Sequence, residues 1–125
     1  MAKIQTTDFQ GAMILMSIED YEAIIYKIIT ISGNAKAIAY DALHAAKNRE
    51  FELAHEKIKQ IDQELAGLHA QQMELIQRET KGGNNEFSVL LVHALDIMMD
   101  SMAVRDWVKE LVELYEIVLN DKSKR

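Results

Sequence analysis

The chain has 125 residues, 14 lysines and arginines against 20 aspartates and glutamates, and a formal net charge of -6. This length predicts one domain, and because so small a chain buries only about two-thirds of its unfolded surface, assembly into an oligomer would stabilise it. The acidic balance argues against nucleic acid or an anionic membrane as a partner, and the absence of cysteine excludes disulfides, thiolate metal sites and cysteine nucleophiles.

Residues 1–16 are predicted to form a loosely ordered N-terminal arm. The longest apolar run in this segment is AMILM at positions 12–16, which is too short for a signal peptide or a membrane span. The lack of cysteine also agrees with a reducing compartment. We therefore expect a cytoplasmic protein that does not insert into a membrane.

Residues 17–121 are predicted to form a single all-α domain, a bundle of three antiparallel helices. The chain has no proline and only five glycines, so few positions favour a break. Helix 1 is predicted to begin at Ser17, because Asp20 three residues later resembles a capping box, and to run to about residue 47. Asn48 and Arg49 are predicted to form a short connection or a kink. Helix 2 is predicted at about residues 50–81 and helix 3 at about 88–120, separated by the turn-forming sequence KGGNN at 81–85.

Each predicted helix has an apolar seam with steps of three and four residues, which is typical of helices packed nearly parallel in a bundle. The seam of helix 2 is the clearest, and its one polar member is Gln72, interpreted as a register-setting residue or as a partner for a site on a neighbouring helix. The seams are Tyr21, Ile24, Ile25, Ile28, Ile31 and Ala35 in helix 1, Phe51, Ala54, Ile58, Ile61, Leu65, Leu68, Gln72 and Leu75 in helix 2, and Leu90, Ala94, Ile97, Ser101, Val104, Val108, Leu111, Tyr115 and Val118 in helix 3.

The N-terminal half of helix 3, up to Met102, is apolar well beyond its seam. Three antiparallel helices leave one side of each helix facing outward, so they cannot cover a helix that is hydrophobic around most of its circumference. We predict that this half of helix 3 lies in a subunit interface, because a monomer would expose an unusually large apolar patch. Residues 122–125, KSKR, are expected to form a solvated basic tail.

His93 lies inside this apolar half of helix 3. At about 100° per residue, His93, Asp96, Asp100 and Trp107 fall within one narrow sector. One interpretation is structural, a local hydrogen bond or weak ion pair between His93 and Asp96 at positions i and i+3. The other is functional, because an imidazole titrates near neutral pH and is a competent nucleophile. The residues alone leave both interpretations open.

Two further histidines, His44 in DALH and His55 in ELAH, form carboxylate-x-x-His pairs that resemble one element of a di-iron site. Such a site needs two of these motifs and two more glutamates facing the interior of a four-helix bundle, whereas the sequence pattern predicts only three helices in this chain. We expect His44 and His55 to lie on the solvated surface.

Four segments spread over the three predicted helices share their order and spacing with a known family. From about residue 18 to residue 119, the chain resembles the lactose/cellobiose-type (diacetylchitobiose-type) enzyme IIA components of the bacterial sugar phosphotransferase system (PTS). The segments are SGNAKAIAYDALHAAKNREFELA at 32–54, LHAQQMELIQRE at 68–79, FSVLLVHALDIMM at 87–99 and ELVELYE at 110–116.

This resemblance implies a PTS IIA domain that assembles as a homotrimer, giving a bundle of nine helices. It implies that His93 accepts a phosphoryl group from the histidine-containing phosphocarrier protein and passes it to a cysteine of the cognate IIB component, which phosphorylates sugar arriving through the IIC component. It also implies that Asp96 lies near the threefold axis, where three copies can bind Mg²⁺ or another divalent cation. His69 matches a recurrent family position, and we expect it, and Gln72 near it, either to border the active centre or to serve within the bundle.

The segment around His93 departs from the family pattern at two positions. The usual sequence is approximately V-H-A-Q-D-H-L-M, whereas Leu95 and Ile97 replace the glutamine and the second histidine here. Both replacements remove polar groups beside the nucleophile. The alternative function is therefore a divergent helical trimer without turnover, acting as a regulatory or protein-interaction module.

Overall fold

The computed structural model describes the backbone of residues 2–80 and 89–121 and the side chains of residues 20–78 and 89–120. These residues form three α-helices and no strand: α1 (Ala2–Lys47), α2 (Phe51–Thr80) and α3 (Val89–Asp121). The predicted all-α three-helix fold is confirmed, and the bounds of α2 and α3 each agree with prediction to within one residue. The predicted turn at 81–85 and the tail at 122–125 lie outside the described residues.

The predicted start of the first helix at Ser17 is wrong, because α1 begins at Ala2. The backbone of residues 2–16 continues the helix in place of the predicted arm. An N-cap residue needs a non-helical backbone before it, and the upstream sequence supplies no strong helix breaker. It has no proline, and its one glycine, Gly11, weakens a helix without ending it.

A tight turn at residues 48–50 reverses the chain between α1 and α2, so the first of the two predicted alternatives, a short connection, is confirmed and the kink is not. Arg49 has a positive φ of 64°, the left-handed conformation that often ends a helix. The Glu50 N–H donates to the Ala45 carbonyl at 2.9 Å, and the Arg49 N–H donates to the Ala46 carbonyl at 3.1 Å. This is a Schellman arrangement with an arginine where glycine is usual, and it sets α2 antiparallel to α1.

The core lies along the facing seams of the helices. In α2 the predicted seam is confirmed, since its apolar members after Phe51 are buried, while Phe51 and Gln72 are partly buried. In α3 the predicted seam is partly wrong, because Leu111 and Val118 are exposed (36% and 49%) and Met98 and Val112 are buried instead. Several sides of α3 are apolar, so periodicity alone could not fix which side turns inward.

Polar contacts between helices fix how α3 sits against the other two. The Lys36 ammonium of α1 donates to the Asp100 carboxylate at 2.7 Å, and the buried Ser101 hydroxyl donates to the Ser32 carbonyl, also at 2.7 Å. On the other side of α3, the Arg105 guanidinium donates to the Asp62 carboxylate of α2 at 3.1 Å. Since α2 reverses the chain, α1 and α3 run in the same direction.

The two carboxylate-x-x-His motifs lie on the surface, as expected. His44 is exposed, and the half-exposed His55 lies with its Nε2 2.8 Å from Oε2 of Glu116 on α3. None of the described helices contains an apolar stretch long enough to cross a membrane.

Candidate functional site

His93 is the fifth residue of α3 and is exposed to solvent. Among the residues that the structure describes, none forms a hydrogen bond or an ion pair with its imidazole, and this includes Asp96. The structural interpretation, a local pair between His93 and Asp96, is therefore not what the structure shows. Within the described part of the chain, no group occupies the ring nitrogens of His93.

The contacts of Asp100 show which side of α3 carries His93. Residues seven apart lie on nearly the same side of a helix, so His93 and Asp100 share one side, and Asp100 accepts the Lys36 ammonium of α1. His93 therefore lies on the side of α3 that borders α1, called here the α1–α3 edge. The hydrogen bond from Lys36 to Asp100, and second their Coulombic attraction, raise the pKa of Lys36 above its usual value.

His69 lies on a different side of the bundle. It is seven residues from Asp62 and fourteen from His55, and both of these side chains contact α3 at Arg105 and Glu116. The heptad spacing places His69 on the α2–α3 edge, where it is exposed. Within the described part of one chain, no hydrogen bond or ion pair joins His93 to His69 or to the partly buried Gln72. A single subunit therefore does not bring these three predicted site residues together.

Leu95 and Ile97, the two departures beside His93, are both partly buried. The Ile97 carbonyl accepts a hydrogen bond from the Ser101 hydroxyl at 2.9 Å, within α3. Their side chains contribute packing and supply no polar group to His93. Any hydrogen bond that orients the imidazole must come from elsewhere.

Asp96 is exposed on the side of α3 that faces away from the bundle core. No group of three metal-ligating side chains occurs among the described residues of one chain. Carboxylate oxygens are suitable ligands for Mg²⁺, and Asp96 has no hydrogen-bonding or ion-pairing partner in the part of the chain that the structure describes. The residue therefore fits a metal site only if other copies of the chain supply further ligands.

The outward side of α3 exposes large apolar side chains along most of its length. The sequence predicted such a surface for the N-terminal half, and the structure extends it toward the C-terminus, where Trp107 is 71% exposed. An apolar surface of this extent is typical of an interface with another protein chain. The exposed residues are Val89, Val92, Met99, Trp107, Leu111, Leu114, Ile117 and Val118.

These features define a small three-helix protein that presents an exposed histidine beside an apolar helix face. The family model for the lactose/cellobiose-specific IIA subunit of the PTS matches residues 23–116. The chain belongs to this family of sugar-transport components, and the predicted resemblance is confirmed.

Individual relatives support the same assignment. The chain is 39% identical over 105 residues to the lichenan-specific phosphotransferase enzyme IIA component of Bacillus subtilis, an alignment that covers 84% of this chain and 96% of the relative. It is 37% identical over 98 residues to the N,N'-diacetylchitobiose-specific EIIA component of Escherichia coli K12, covering 78% and 84% of the two chains.

Solved structures of the family share the fold. The crystal structure of the cellobiose-specific enzyme IIA from Bacillus anthracis superposes with a TM-score of 0.74 at 35% identity, covering 79% of this chain and 91% of that one. The Escherichia coli IIA(Chitobiose)–HPr complex superposes with a TM-score of 0.69 at 35% identity, covering 78% and 94%.

Proposed function

We propose that this PTS IIA component carries phosphoryl groups on His93, during uptake of a lactose-, cellobiose- or chitobiose-type sugar. The donor is the histidine-containing phosphocarrier protein, HPr, and the acceptor is a cysteine of the cognate IIB component, which serves the membrane component IIC. The exposed imidazole of His93, which pairs with no group among the described residues and lies within the segment that the family model matches, carries this proposal. The related IIA(Chitobiose) chain, solved in complex with HPr, supports the choice of donor. We place this transfer in the cytoplasm.

The transfer needs little from the protein beyond placing two nucleophiles in line. The neutral His93 nitrogen uses its lone pair to form a P–N bond as the P–N bond of the donor breaks, and the donor imidazole keeps that electron pair and takes a proton. In the second step the IIB thiolate forms an S–P bond, and His93 leaves with its electron pair and is protonated. Side chains near a helix start lean toward its positive end, so α3 stabilises the phosphoryl oxygens on His93.

The exposed apolar face of α3 supports assembly as a homotrimer. Asp96 lies on this outward side, so a threefold axis along it brings three carboxylates together. Three converging aspartates repel unless a cation neutralises them, and Mg²⁺ or another divalent ion accepts such oxygen ligands. Asp96 of each subunit would hold the ion, whose contribution is charge neutralisation at the subunit contact.

In a cyclic trimer, an adjacent subunit can also supply polar side chains beside His93. In a cyclic trimer each subunit uses two different surfaces, so the α1–α3 edge of one subunit faces the α2–α3 edge of the next. His69, with Gln72 behind it, then approaches His93 from the adjacent subunit. This explains how both residues can border the active centre although they lie on another edge of their own subunit.

Labelling with phosphoenolpyruvate, enzyme I and HPr tests the assignment of His93. The wild type should acquire an acid-labile, base-stable phosphate, and the His93→Ala variant should acquire none. His44→Ala is the matched control and should still be labelled, because it removes an exposed histidine that lies outside the proposed site. An unlabelled wild type with active HPr would refute the phosphocarrier proposal.

One observation favours a second candidate, a helical trimer without turnover. Leu95 and Ile97 supply no polar group beside His93, which is unlike the usual family segment. Such a protein would keep the assembly and the partner surface and would not pass phosphate on. In the labelling experiment it would remain unlabelled while still binding HPr.

A further inference from the structure

The helix α1 is much longer than the helix α2 that packs against it. The turn at 48–50 sets α2 antiparallel to α1, so positions equally far from this turn are level with each other. Thr80, the last residue of α2, is therefore level with about residue 18 of α1. Beyond that level α2 gives α1 no cover.

The helix α3 also begins well after α1. Lys36 of α1 pairs with Asp100 of α3, so these two positions are level. Eleven residues earlier on each helix, Val89 begins α3 level with about residue 25 of α1. Residues 2–17, called here the α1 extension, therefore continue for about 24 Å beyond the described ends of both other helices.

The buried seam of α1 continues through the α1 extension with the same spacing. Within the bundle the seam follows steps of three and four residues from Ile25 to Ala46. Such a seam is typical of a helix that packs against other helices. Upstream, the same steps fall on Tyr21, Ile18, Ile14, Gly11, Thr7 and Ile4. The pattern for helix packing thus extends past the helices that the described part of one chain supplies.

The α1 extension is apolar on every side over part of its length. Residues 11–16, GAMILM, contain no polar side chain, and six residues cover the full circumference of a helix. A helix that is hydrophobic all round is normally buried. A separate polar row is formed by Lys3, Gln10 and Ser17, at heptad spacing. This composition requires a neighbouring structure that covers the apolar sides.

The charge of the α1 extension favours another copy of itself over a lipid surface. Lys3 and Asp8 are its only charged residues and cancel each other, in a chain of net charge -6. Two extensions therefore meet without the repulsion that acts between the rest of two acidic chains. Helices that lie on anionic membranes instead carry many basic residues on their polar face, and the extension offers only Lys3.

A second copy of the α1 extension fits the seam by continuing the packing between α1 and α2. Since α2 runs antiparallel to α1 and ends level with about residue 18, an antiparallel extension from another copy has room to begin there. It then follows the same seam of α1 along the remaining 24 Å or so. The contact is the same for both copies, because each extension supplies the seam that the other needs.

The proposed trimer makes this contact threefold. A threefold axis along α3 keeps the three copies of α1 parallel, so three extensions project from the same end. One extension about 24 Å long and about 10 Å wide offers on the order of 240 Å² on one side, whereas a stable interface covers about 800 Å² on each partner. Three extensions together approach that area, and their linkage within one trimer strengthens the pairing further.

We propose that the α1 extension is a self-association surface, through which two assemblies of this chain pair end to end by antiparallel contacts between their extensions. The expected count of six chains rests on the trimer of the proposed function. The pairing itself needs no phosphoryl transfer. The extension also lies outside residues 23–116, which the family model matches.

Two lysine substitutions in the full chain test the pairing. Leu15→Lys places a charge inside the apolar segment 11–16, whereas Gln10→Lys adds the same charge to the polar row. In sedimentation equilibrium at micromolar concentration, we expect Leu15→Lys to have half the molar mass of the wild type and Gln10→Lys to keep the wild-type mass. Labelling by phospho-HPr should persist in both variants, because the bundle and His93 are unchanged.

The direction of the pairing is measurable by crosslinking, because the chain contains no cysteine. Gly11 lies near the middle of the α1 extension, and Ile18 lies just past its end. In a centred antiparallel pair, two Gly11→Cys positions are about 10 Å apart, whereas two Ile18→Cys positions are roughly 25 Å apart. A bismaleimide that spans about 10 Å, the separation of packed helices, should link copies of Gly11→Cys and leave Ile18→Cys unlinked.

Equal masses for the wild type and Leu15→Lys would refute the pairing. Linking of both cysteine variants would show parallel helices and overturn the antiparallel contact. If the wild type, unlike Leu15→Lys, sediments with vesicles of phosphatidylcholine and phosphatidylglycerol and shows no mass doubling, the extension binds lipid and the inference fails.

The proposed function fails separately from this inference. A mass that falls from two chains to one in Leu15→Lys would support the pairing and reject the trimer. A wild type that phospho-HPr does not label would reject the phosphocarrier role, while a halved mass in Leu15→Lys would still support the self-association surface.

Discussion

Replacing Gly33 or Gly67 by alanine should stabilise the protein. Both residues lie inside long helices, α1 and α2, and both are exposed. Glycine in a helix interior costs roughly 0.5–1 kcal/mol relative to alanine, because the unfolded chain has more conformational freedom. A Cβ added at either position meets nothing within 4 Å, so no new clash offsets the gain.

The expected size of the effect is measurable by urea unfolding. With an m-value of about 1.5 kcal/mol per molar urea, each substitution should raise the midpoint by roughly 0.3–0.7 M at unchanged m. Protein concentration must be held constant, because any assembly makes the midpoint depend on concentration. A lower midpoint for Gly67→Ala would refute the placement of that residue on an open helix surface. A lower midpoint for Gly33→Ala alone would show that another subunit contacts α1 closely there.

Three further substitutions test the turn, the core and the proposed subunit contact. Arg49→Gly should stabilise the protein by about 0.5–1 kcal/mol in the same assay, because glycine adopts the positive φ of this turn without a Cβ penalty; a loss of stability would contradict the Schellman arrangement. Leu68→Ala should cost about 2–5 kcal/mol, since Leu68 is 1% exposed, while Leu53→Ala at 39% exposure should cost much less; similar losses at the two positions would argue against the predicted facing of α2. Asp96→Leu should leave a trimer intact or strengthen it in sedimentation equilibrium, because apolar contacts replace three repelling carboxylates, and a trimer that dissociates would place Asp96 away from the axis.

Periodicity predicted the inward side of a helix where polar residues surround the apolar seam, and it failed where they do not. In α2 the apolar seam residues from Ala54 to Leu75 are buried as expected, because charged residues on the other sides leave one apolar direction. In α3 the apolar residues occupy several directions, so the predicted seam included the exposed Leu111 and left out the buried Val112. Packing against α1 and α2 decides the rotation of such a helix.

In the candidate site, too, the sequence predicted what depends on the helical repeat and did not predict what depends on packing between helices. The sequence grouped His93 with Asp100 on one side of a helix, which needs only the helical repeat. It did not identify Lys36 as the partner of Asp100, nor the edge that His93 occupies, because both depend on the rotation and register of α3 against α1. Spacing alone also left open whether His93 pairs with Asp96. The nucleophilic role proposed for His93 comes from the family resemblance and not from spacing.

The start of α1 was misplaced for a related reason. Ser17 and Asp20 have the residue types of a capping box, but those types act as a cap only where the preceding backbone leaves the helix. Because residues 2–16 hold no proline, the helix passes through Ser17 to Ala2. A capping-box sequence in a segment without proline is therefore weak evidence that a helix begins there.

The most direct test of a phosphocarrier role is whether phosphate leaves His93 as well as reaching it. The protein is labelled by phospho-HPr, separated from the donor and then mixed with the cognate IIB component. The mechanism predicts that label disappears from His93 and appears on the IIB cysteine, and that a IIB variant with this cysteine replaced by serine leaves the label on His93. Label that stays on His93 in the presence of active IIB would contradict the carrier role and favour a protein that binds its partners without turnover.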